Sequence, residues 1–467
     1  MDPASSSVRR TFGPSERMSV SDFVAYRLQV EAKGRTSELS IDLLESTPDW
    51  ERFLVHVDRA SREFVRLRQR LVVPSLPVAT ASWATDPDFD LGYHVRRFVL
   101  PRESDILQVA STILSTPLDP DRPLWETTLV EGTDGGLGAA VIWKFSPALF
   151  LGTSSGHLDE SLYGHWADPD FDPLPPLPAP MDLTASDLSR AALPRLPITI
   201  GTGTFRQVRR ILRNPLSTTN AAVRLGQNGI RAIRPTADHQ SPLLRRRSRE
   251  RRFAFIDVPV ADVEALAGAN DCPTTAVHLA ALAGALEHLH DFGGAPIDSI
   301  AVSIPARRSN PNVGPVRHGG QDNVVLLPLP KVAEENQLRA VNDALRHPRE
   351  NPLTAVVRAL GAAATLVPDQ ALEAIQAVTP TPDVVYEETG RVTGPRYIAG
   401  SLAKATIPVG PLGSSALAVR TEQMDGRWWI GVVADVAAVP DLDEFIATLR
   451  SNYTALLAPP ATRRTRK

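Results

Sequence analysis

The sequence predicts an α/β protein in two halves, and three observations carry that expectation. Strand and helix signals alternate between residues 39 and 144, they alternate again between 253 and 456, and the stretch between is rich in proline and arginine instead. Leu39, Ile41 and Leu43 alternate with Ser40 and Asp42, the pattern of a strand with one buried and one wet face. Thr47 and Pro48 offer an N-cap and first turn to a helix that places Trp50, Phe53, Leu54, Val57, Ala60 and Phe64 on one side. Ile106, Val109, Ala110 and Ile113 mark a second amphipathic helix, with Ser104 as its cap. Leu124 to Val130 and Ala139 to Lys144 read as strands.

From Asp168 to Asp182 (DPDFDPLPPLPAPMD) the chain is proline-rich and unsuited to regular structure. It opens a connector that runs to Arg252, with an amphipathic helix expected in Arg206 to Leu225, broken at Pro215. Beyond it, Val260, Val263 and Ala267 suggest a short helix, and Leu279, Leu282, Leu286 and Leu289 line a longer one. Strands follow at Ser299 to Ile304 and Val324 to Leu329. Asp425-Gly426, a favoured two-residue hairpin turn, separates strands at Ser415 to Glu422 and Trp428 to Val433. Leu442, Phe445, Ile446, Leu449, Tyr453 and Leu456 mark the last helix. The expected units are 18–167 and 253–458 as the two halves and 168–252 as the connector, with disordered ends at 1–17 and 459–467.

Composition narrows the function classes. With 467 residues, 43% apolar and 22% charged, the chain has the profile of a globular protein too long for a single ordinary core. Its lone cysteine, Cys272, excludes an intramolecular disulfide and points to a reducing, cytoplasmic setting. The N-terminal MDPASSSVRRTFGPSER carries no apolar signal region, and Gly136 to Phe145, the longest apolar run, suits a buried strand better than a membrane span. Net charge is only −3, yet thirteen arginines face two acids, Asp238 and Glu250, between Arg206 and Arg252. That strip is either a solvated linker or a cationic surface for phosphates or anionic lipid. Nucleic acid is not expected, because aromatic residues are nearly absent there, Phe205 excepted. No histidine pair has HExxH spacing, so no metal is expected.

Several strings share an order. They are Met18-Ser-Val-Ser-Asp22-Phe23, Arg68-Gln-Arg-Leu71, Asp86 to Val95, and Pro117-Leu-Asp119-Pro-Asp-Arg122-Pro123-Leu124-Trp125-Glu126, then Gly431 to Asp435 and Val439 to Asp443. Together they resemble the bacterial wax ester synthase/diacylglycerol acyltransferase family, the fourth string most specifically. The resemblance implies two coenzyme A-dependent acyltransferase-like domains, related to chloramphenicol acetyltransferase, around a central cleft or tunnel. It implies acyl-CoA as co-substrate, a neutral-lipid acceptor (diacylglycerol or a long-chain alcohol), and triacylglycerol or wax ester as product. It also admits a peripheral place at an anionic membrane or lipid-droplet surface.

The family's catalytic motif is H-H-x-x-x-D-G after a strand with an upstream tryptophan and lysine. An alcohol needs a base to take its proton as it attacks a thioester, and imidazole titrates near operating pH. The matching segment runs Trp143-Lys144-Phe145-Ser146-Pro147-Ala148-Leu149-Phe150-Leu151-Gly152. Trp143, Lys144 and Gly152 keep their places, whereas Ser146 and Pro147 stand where the histidines belong and Leu151 where the aspartate belongs. Proline has no titratable group, so the motif holds no base. His157, in Gly156-His157-Leu158-Asp159, is the candidate substitute; an ordinary surface or cap role is the simpler reading. His94, His278, His288 and His290 read as structural or solvated. At the second-half helix start, Thr275 and Ala276 replace the family's Asn-Asp, and Val392-Thr-Gly394-Pro395 is a remnant of another family string. Arg307 matches a family arginine. Asp119, Arg122, Pro123, Leu124, Trp125 and Glu126 read as a structural turn entering a strand, with Asp119 and Arg122 close enough to pair. The resulting expectation is an acyltransferase scaffold with impaired or lost chemistry. The alternatives are an enzyme with a relocated base and a non-catalytic lipid-binding or scaffold protein.

Overall fold

The computed structural model describes residues 15–31, 35–76, 78–100, 106–132, 138–150, 155–164, 173–193, 241–305, 322–329, 334–350 and 382–458, with isolated positions 365, 367, 369 and 372. In chain order the strands are β1 (Ser15–Arg17), β2 (Glu38–Leu44), β3 (Gln69–Val72), β4 (Ser82–Thr85), β5 (Val95–Val99), β6 (Trp125–Glu131), β7 (Ala139–Phe145) and β8 (Arg251–Pro259). They continue as β9 (Ser299–Pro305), β10 (Asp322–Pro328), β11 (Arg349–Glu350), β12 (Val384–Arg391), β13 (Tyr397–Ile398), β14 (Ser401–Val409), β15 (Leu417–Met424) and β16 (Arg427–Asp435).

These strands make two large sheets. One has the order β13-β14-β2-β7-β6-β5, the other β11-β10-β9-β12-β15-β16-β8, and β1-β4-β3 forms a small third. β5 runs parallel to β6, and the helix Ile106–Ser115 makes the crossover that a parallel pair requires. The first sheet buries one face under the helices Trp50–Glu63 and Ser155–Leu162, around Trp125, Trp143, Phe145 and Phe150. The second buries one face under Val260–Ala269, Thr274–Phe292, Glu334–Leu345 and Leu442–Leu457. Between the sheets lies a third apolar layer, in which Leu39, Ile41, Ala110 and Ile142 meet Phe253, Ala418 and Val433.

Strand periodicity gives no sign that β13 and β14, made in the second half, complete the first half's sheet. β14 pairs antiparallel with β2, Ile407 opposite Ile41 and Val409 opposite Leu39. On its way it crosses β16 so closely that a carbon placed on Gly431 would lie 1.8 Å from the carbonyl oxygen of Pro408. Only a residue without a side chain fits there.

Most expected elements form, and the differences have physical causes. Ser40 and Asp42 do not face water: they are 4% and 0% exposed, because both faces of β2 are covered. Asp49, not Thr47, caps the helix Trp50–Glu63, accepting from Arg52 N at 3.0 Å, while the Thr47 hydroxyl donates to Gly138 O. Within the connector the helix Ala185–Ala192 carries a capping box between Thr184 and Asp187. The hairpin turn matches its sequence signal, with φ of 49° at Asp425 and 72° at Gly426. Ser104 and the arginines from Arg206 to Arg234 lie outside the described residues. Among the described residues no helix is long and apolar enough to cross a membrane.

Candidate active site

The segment from Trp143 to Phe150 begins at the end of β7, where alternation along the strand sends neighbouring side chains to opposite faces. Trp143 points to the helix-covered face, and its indole N–H donates to Asp42 Oδ2 at 3.1 Å. Lys144 points to the other face. Its ammonium, fully buried, donates to the carbonyl of Thr116 at 2.6 Å and lies 3.8 Å from Glu126. Thr116 directly follows the helix Ile106–Ser115, so Lys144 satisfies a carbonyl where a helix end leaves them unpaired. Burial pushes the Lys144 pKa down to about 8.

Past Phe145 the chain turns. Ser146 N donates to Leu124 O at 2.9 Å, its carbonyl accepts from Leu149 N at 3.0 Å, and its hydroxyl oxygen accepts from Ala148 N at 3.3 Å. Pro147–Phe150 is a short 3-10 helix with all four residues buried, and Phe150 meets Phe145 edge to face. Ser146 is thus a serine folded into its own turn, and Pro147 is a proline in an apolar plug. Leu151, Gly152 and Arg307 lie outside the described residues, and His157 is placed only by its backbone, in the first turn of Ser155–Leu162.

The string from Pro117 to Glu126 braces this corner. Leu124 receives Ser146, Pro123 O accepts from Trp125 N at 2.9 Å, and Trp125 donates from its indole to Leu67 O at 2.7 Å. His94 stacks on Trp125 at 4.6 Å, hydrogen-bonds its carbonyl through Nδ1, and has its pKa lowered chiefly by burial. Glu126 pairs with Arg96 at 2.8 Å. The expected Asp119–Arg122 side-chain pair is replaced by a backbone bond, Arg122 N to Asp119 O. The guanidinium instead reaches Asp88 O at 2.7 Å and Asp86 at 3.9 Å. The reason is local: Asp119 Oδ1 is engaged by Asp121 N and its Oδ2 by the Tyr93 hydroxyl.

Periodicity does not reveal two buried ion clusters that join the halves. In one, Arg396 meets Asp159 at 3.1 Å and Glu422 at 3.7 Å and lies over the Tyr163 ring at 4.1 Å. Asp42 lies beside it, accepting from Thr406 at 2.6 Å and from Tyr163. Burial raises its pKa to about 6, although Thr406, Arg396 and Tyr163 pull it down. In the other, Arg420 bridges Glu38 at 2.5 Å and Glu387 at 2.6 Å. Glu38 pairs across the sheet with Phe145, so this triad sits one residue from Ser146. The weak signals for these residues were polar letters inside strand patterns and Arg396 directly after Gly394-Pro395.

Residues 16–277 match the family described as the wax ester synthase/diacylglycerol acyltransferase catalytic domain. A Mycobacterium tuberculosis protein whose name gives it as a candidate diacylglycerol O-acyltransferase is 30% identical over 456 residues, covering 95% of this chain and 92% of its own. This chain belongs to the wax ester synthase/diacylglycerol acyltransferase family. A second M. tuberculosis candidate diacylglycerol O-acyltransferase, tgs1, is 26% identical over 442 residues, 88% of this chain and 89% of its own. Among solved structures, the wax ester synthase/diacylglycerol acyltransferase of Marinobacter aquaeolei VT8 superposes with a TM-score of 0.61 at 18% identity, over 94% of this chain and 98% of that one. The starter condensation domain of rhizomide synthetase, in a mutant form, gives 0.52 at 13% identity over 96% of each chain. The two-sheet architecture is therefore the acyltransferase and condensation-domain fold. Among the described residues no group of three or more His, Cys, Asp or Glu side chains is arranged to hold a metal.

Proposed function

We propose that this member of the wax ester synthase/diacylglycerol acyltransferase family retains the scaffold for acyl-CoA and a lipid acceptor while its acyl-transfer chemistry is lost or strongly slowed. One observation carries the reading: the positions for the imidazole pair hold Ser146, in its own turn, and Pro147, in the apolar plug Pro147–Phe150.

In the transfer, the acceptor's hydroxyl oxygen bonds to the thioester carbonyl carbon and the carbon–sulfur bond breaks. The hydroxyl proton must pass to a base and from there to the departing thiolate. Without the base, an un-ionised alcohol attacks unaided, at a cost of about 10²–10⁴-fold in rate. Positioning contributes separately and can leave a small residue of turnover. The intact Pro117 to Glu126 brace and the buried Arg420 and Arg396 clusters support a preserved scaffold.

The test is acyl transfer by the purified protein from long-chain acyl-CoA to diacylglycerol or a long-chain alcohol. Turnover is expected to be undetectable or very slow, and ordinary turnover overturns the reading. If such turnover disappeared in His157→Ala, the base would be relocated to the helix Ser155–Leu162, whose Asp159 already reaches Arg396. Joint replacement Ser146→His, Pro147→His and Leu151→Asp tests the scaffold from the other side, with a gain of transfer expected. Saturable acyl-CoA binding without transfer supports a lipid-binding or scaffold role beside an active relative.

A further inference from the structure

Residues 173–180, Pro-Leu-Pro-Pro-Leu-Pro-Ala-Pro, are constrained by covalent geometry before any packing. Every one of them is a proline or precedes one, so each is confined to the φ of the ring or to the extended region that the next ring imposes. That leaves the left-handed polyproline II helix, with about three residues per turn and no internal hydrogen bonds. The structure has the matching period. No helix or strand runs from 173 to 183, Pro175, Pro178 and Met181 are half-buried, and the residues between them are exposed.

One edge of this ribbon rests on the first half, and two face water. Arg62, itself paired with Asp58 on the helix Trp50–Glu63, donates to Pro175 O at 3.0 Å, and Met181 N donates to Thr85 O at 3.1 Å. Met181 and Leu183 pack against Val72, Ala84 and Leu188. The outward edges carry Leu174, Pro176, Leu177, Ala179 and Pro180, with Leu177 59% exposed. The adjacent pairs Pro176-Leu177 and Ala179-Pro180 thus recur every third residue, the spacing at which aromatic rings of a partner take up a polyproline ridge. A ribbon already held straight loses less conformational entropy on binding than a free peptide does.

Charge narrows the partner. From 168 to 190 the sequence has five aspartates and one arginine, and Asp182 is exposed at the end of the ribbon. Nucleic acid and anionic lipid are repelled by such an edge, whereas a groove rimmed by lysine or arginine is attracted. A second copy of this chain does not supply the groove. Among the described residues the exposed phenylalanine, tyrosine or tryptophan rings are Phe98, in β5 of the first half, and Phe292, at the end of the helix Thr274–Phe292 in the second. We propose that residues 173–182 are a ready-made docking ligand for a different protein, one that reads polyproline II with an aromatic groove under a basic rim. This surface is independent of the transfer chemistry.

The test adds the full-length protein to isotope-labelled SH3 and WW domains whose aromatic grooves have a basic rim, and follows their groove resonances by NMR. Shifts at the groove of such a domain are expected, and added salt should weaken them. Leu177→Ala should bind about tenfold more weakly, from the apolar area that no longer enters the groove. Pro176→Ala should also bind more weakly, whereas Phe292→Ala, exposed in the second half, should bind as the parent does. Pro176 and Leu177 are exposed, so circular dichroism should show native folding in both variants. A free peptide of residues 172–182 should compete, yet bind more weakly than the intact protein because it has still to be ordered. Groove resonances that do not move overturn the proposal, as does binding by the peptide alone or undiminished binding by Leu177→Ala. Self-association of the protein that Leu177→Ala abolishes overturns it in favour of a second copy.

Discussion

The indole N–H of Trp143 donates to the carboxylate of Asp42, on the face of the first sheet opposite Lys144. Trp143 and Lys144 thus hold the fold: the first secures a buried carboxylate, the second ties down the chain leaving a helix.

Asp42 should make the protein less stable as acidity is withdrawn. Its pKa stands at about 6 in the folded state against an ordinary 3.8, so the folded chain holds a proton that the unfolded chain has released. The favourable contribution is complete below the ordinary value and is lost as pH rises through about 6, a change of about 3 kcal/mol in all. Asp42→Asn cannot titrate, and thermal unfolding between pH 4 and pH 7 should lack this component. An unchanged pH profile would show that the carboxylate is ionised in both states.

His278 should act in the opposite direction. It is fully buried, hydrogen-bonded to the Tyr453 hydroxyl at 2.8 Å, and its pKa is pushed down by burial to about 3. The unfolded chain gains a proton below about 6.5 that the folded chain refuses, so stability falls with pH from there by about 1.4 kcal/mol per unit. Burial also lowers the pKa of His56, His94 and His290, so the wild type is expected to be acid-labile overall. In His278→Gln, which can keep a bond to Tyr453, chemical denaturation at pH 5 should show a smaller loss relative to pH 7 than in the wild type.

How much of this was legible beforehand depended on sequence distance. The hairpin at Asp425-Gly426 and the helix Leu442–Leu457 were readable because their determinants are neighbours in the chain. Ser40 and Asp42 read as a wet face because a polar letter in an alternating strand is usually exposed. Their burial comes from Trp143, Tyr163 and Thr406, far along the sequence. Asp119 and Arg122 stood three apart and suggested a pair, yet Arg122 found Asp86 and Asp88. Ser146 and Pro147 were visible from letters alone; the apolar plug that Pro147 opens required coordinates.

Lys144→Met should separate structure from chemistry. Removing the ammonium leaves the Thr116 carbonyl without its buried donor, at a cost of about 2 kcal/mol. Hydrogen exchange should speed up in the amides of Ile106–Ser115 while the second half stays protected. Native protection in that helix would mean that water or another group replaces the lysine.

Gly431→Ala should be among the most damaging single changes. The added methyl would meet the Pro408 carbonyl oxygen at 1.8 Å, and because that oxygen is backbone, no flexible side chain can move aside. A loss of more than about 3 kcal/mol is expected, seen as a collapsed melting temperature or failure to accumulate as folded protein. Gly394→Ala is a useful comparison: its φ of 84° is strained for alanine, yet nothing lies within 4 Å, so only a modest loss should follow.

The strand Ser401–Val409 closes the edge of β2 only after it has left the ribosome, long after the rest of the first sheet has been synthesised. Until then Leu39, Ile41 and Leu43 stand at an open, hydrophobic sheet edge, the kind that recruits strands from other chains. The nascent protein therefore passes through a period in which its first half is largely made but unable to finish. A shortened transcript ending before Ser401 should yield aggregates or chaperone-bound product instead of a free N-terminal domain. Separately produced fragments cut in the connector should become soluble only when supplied together.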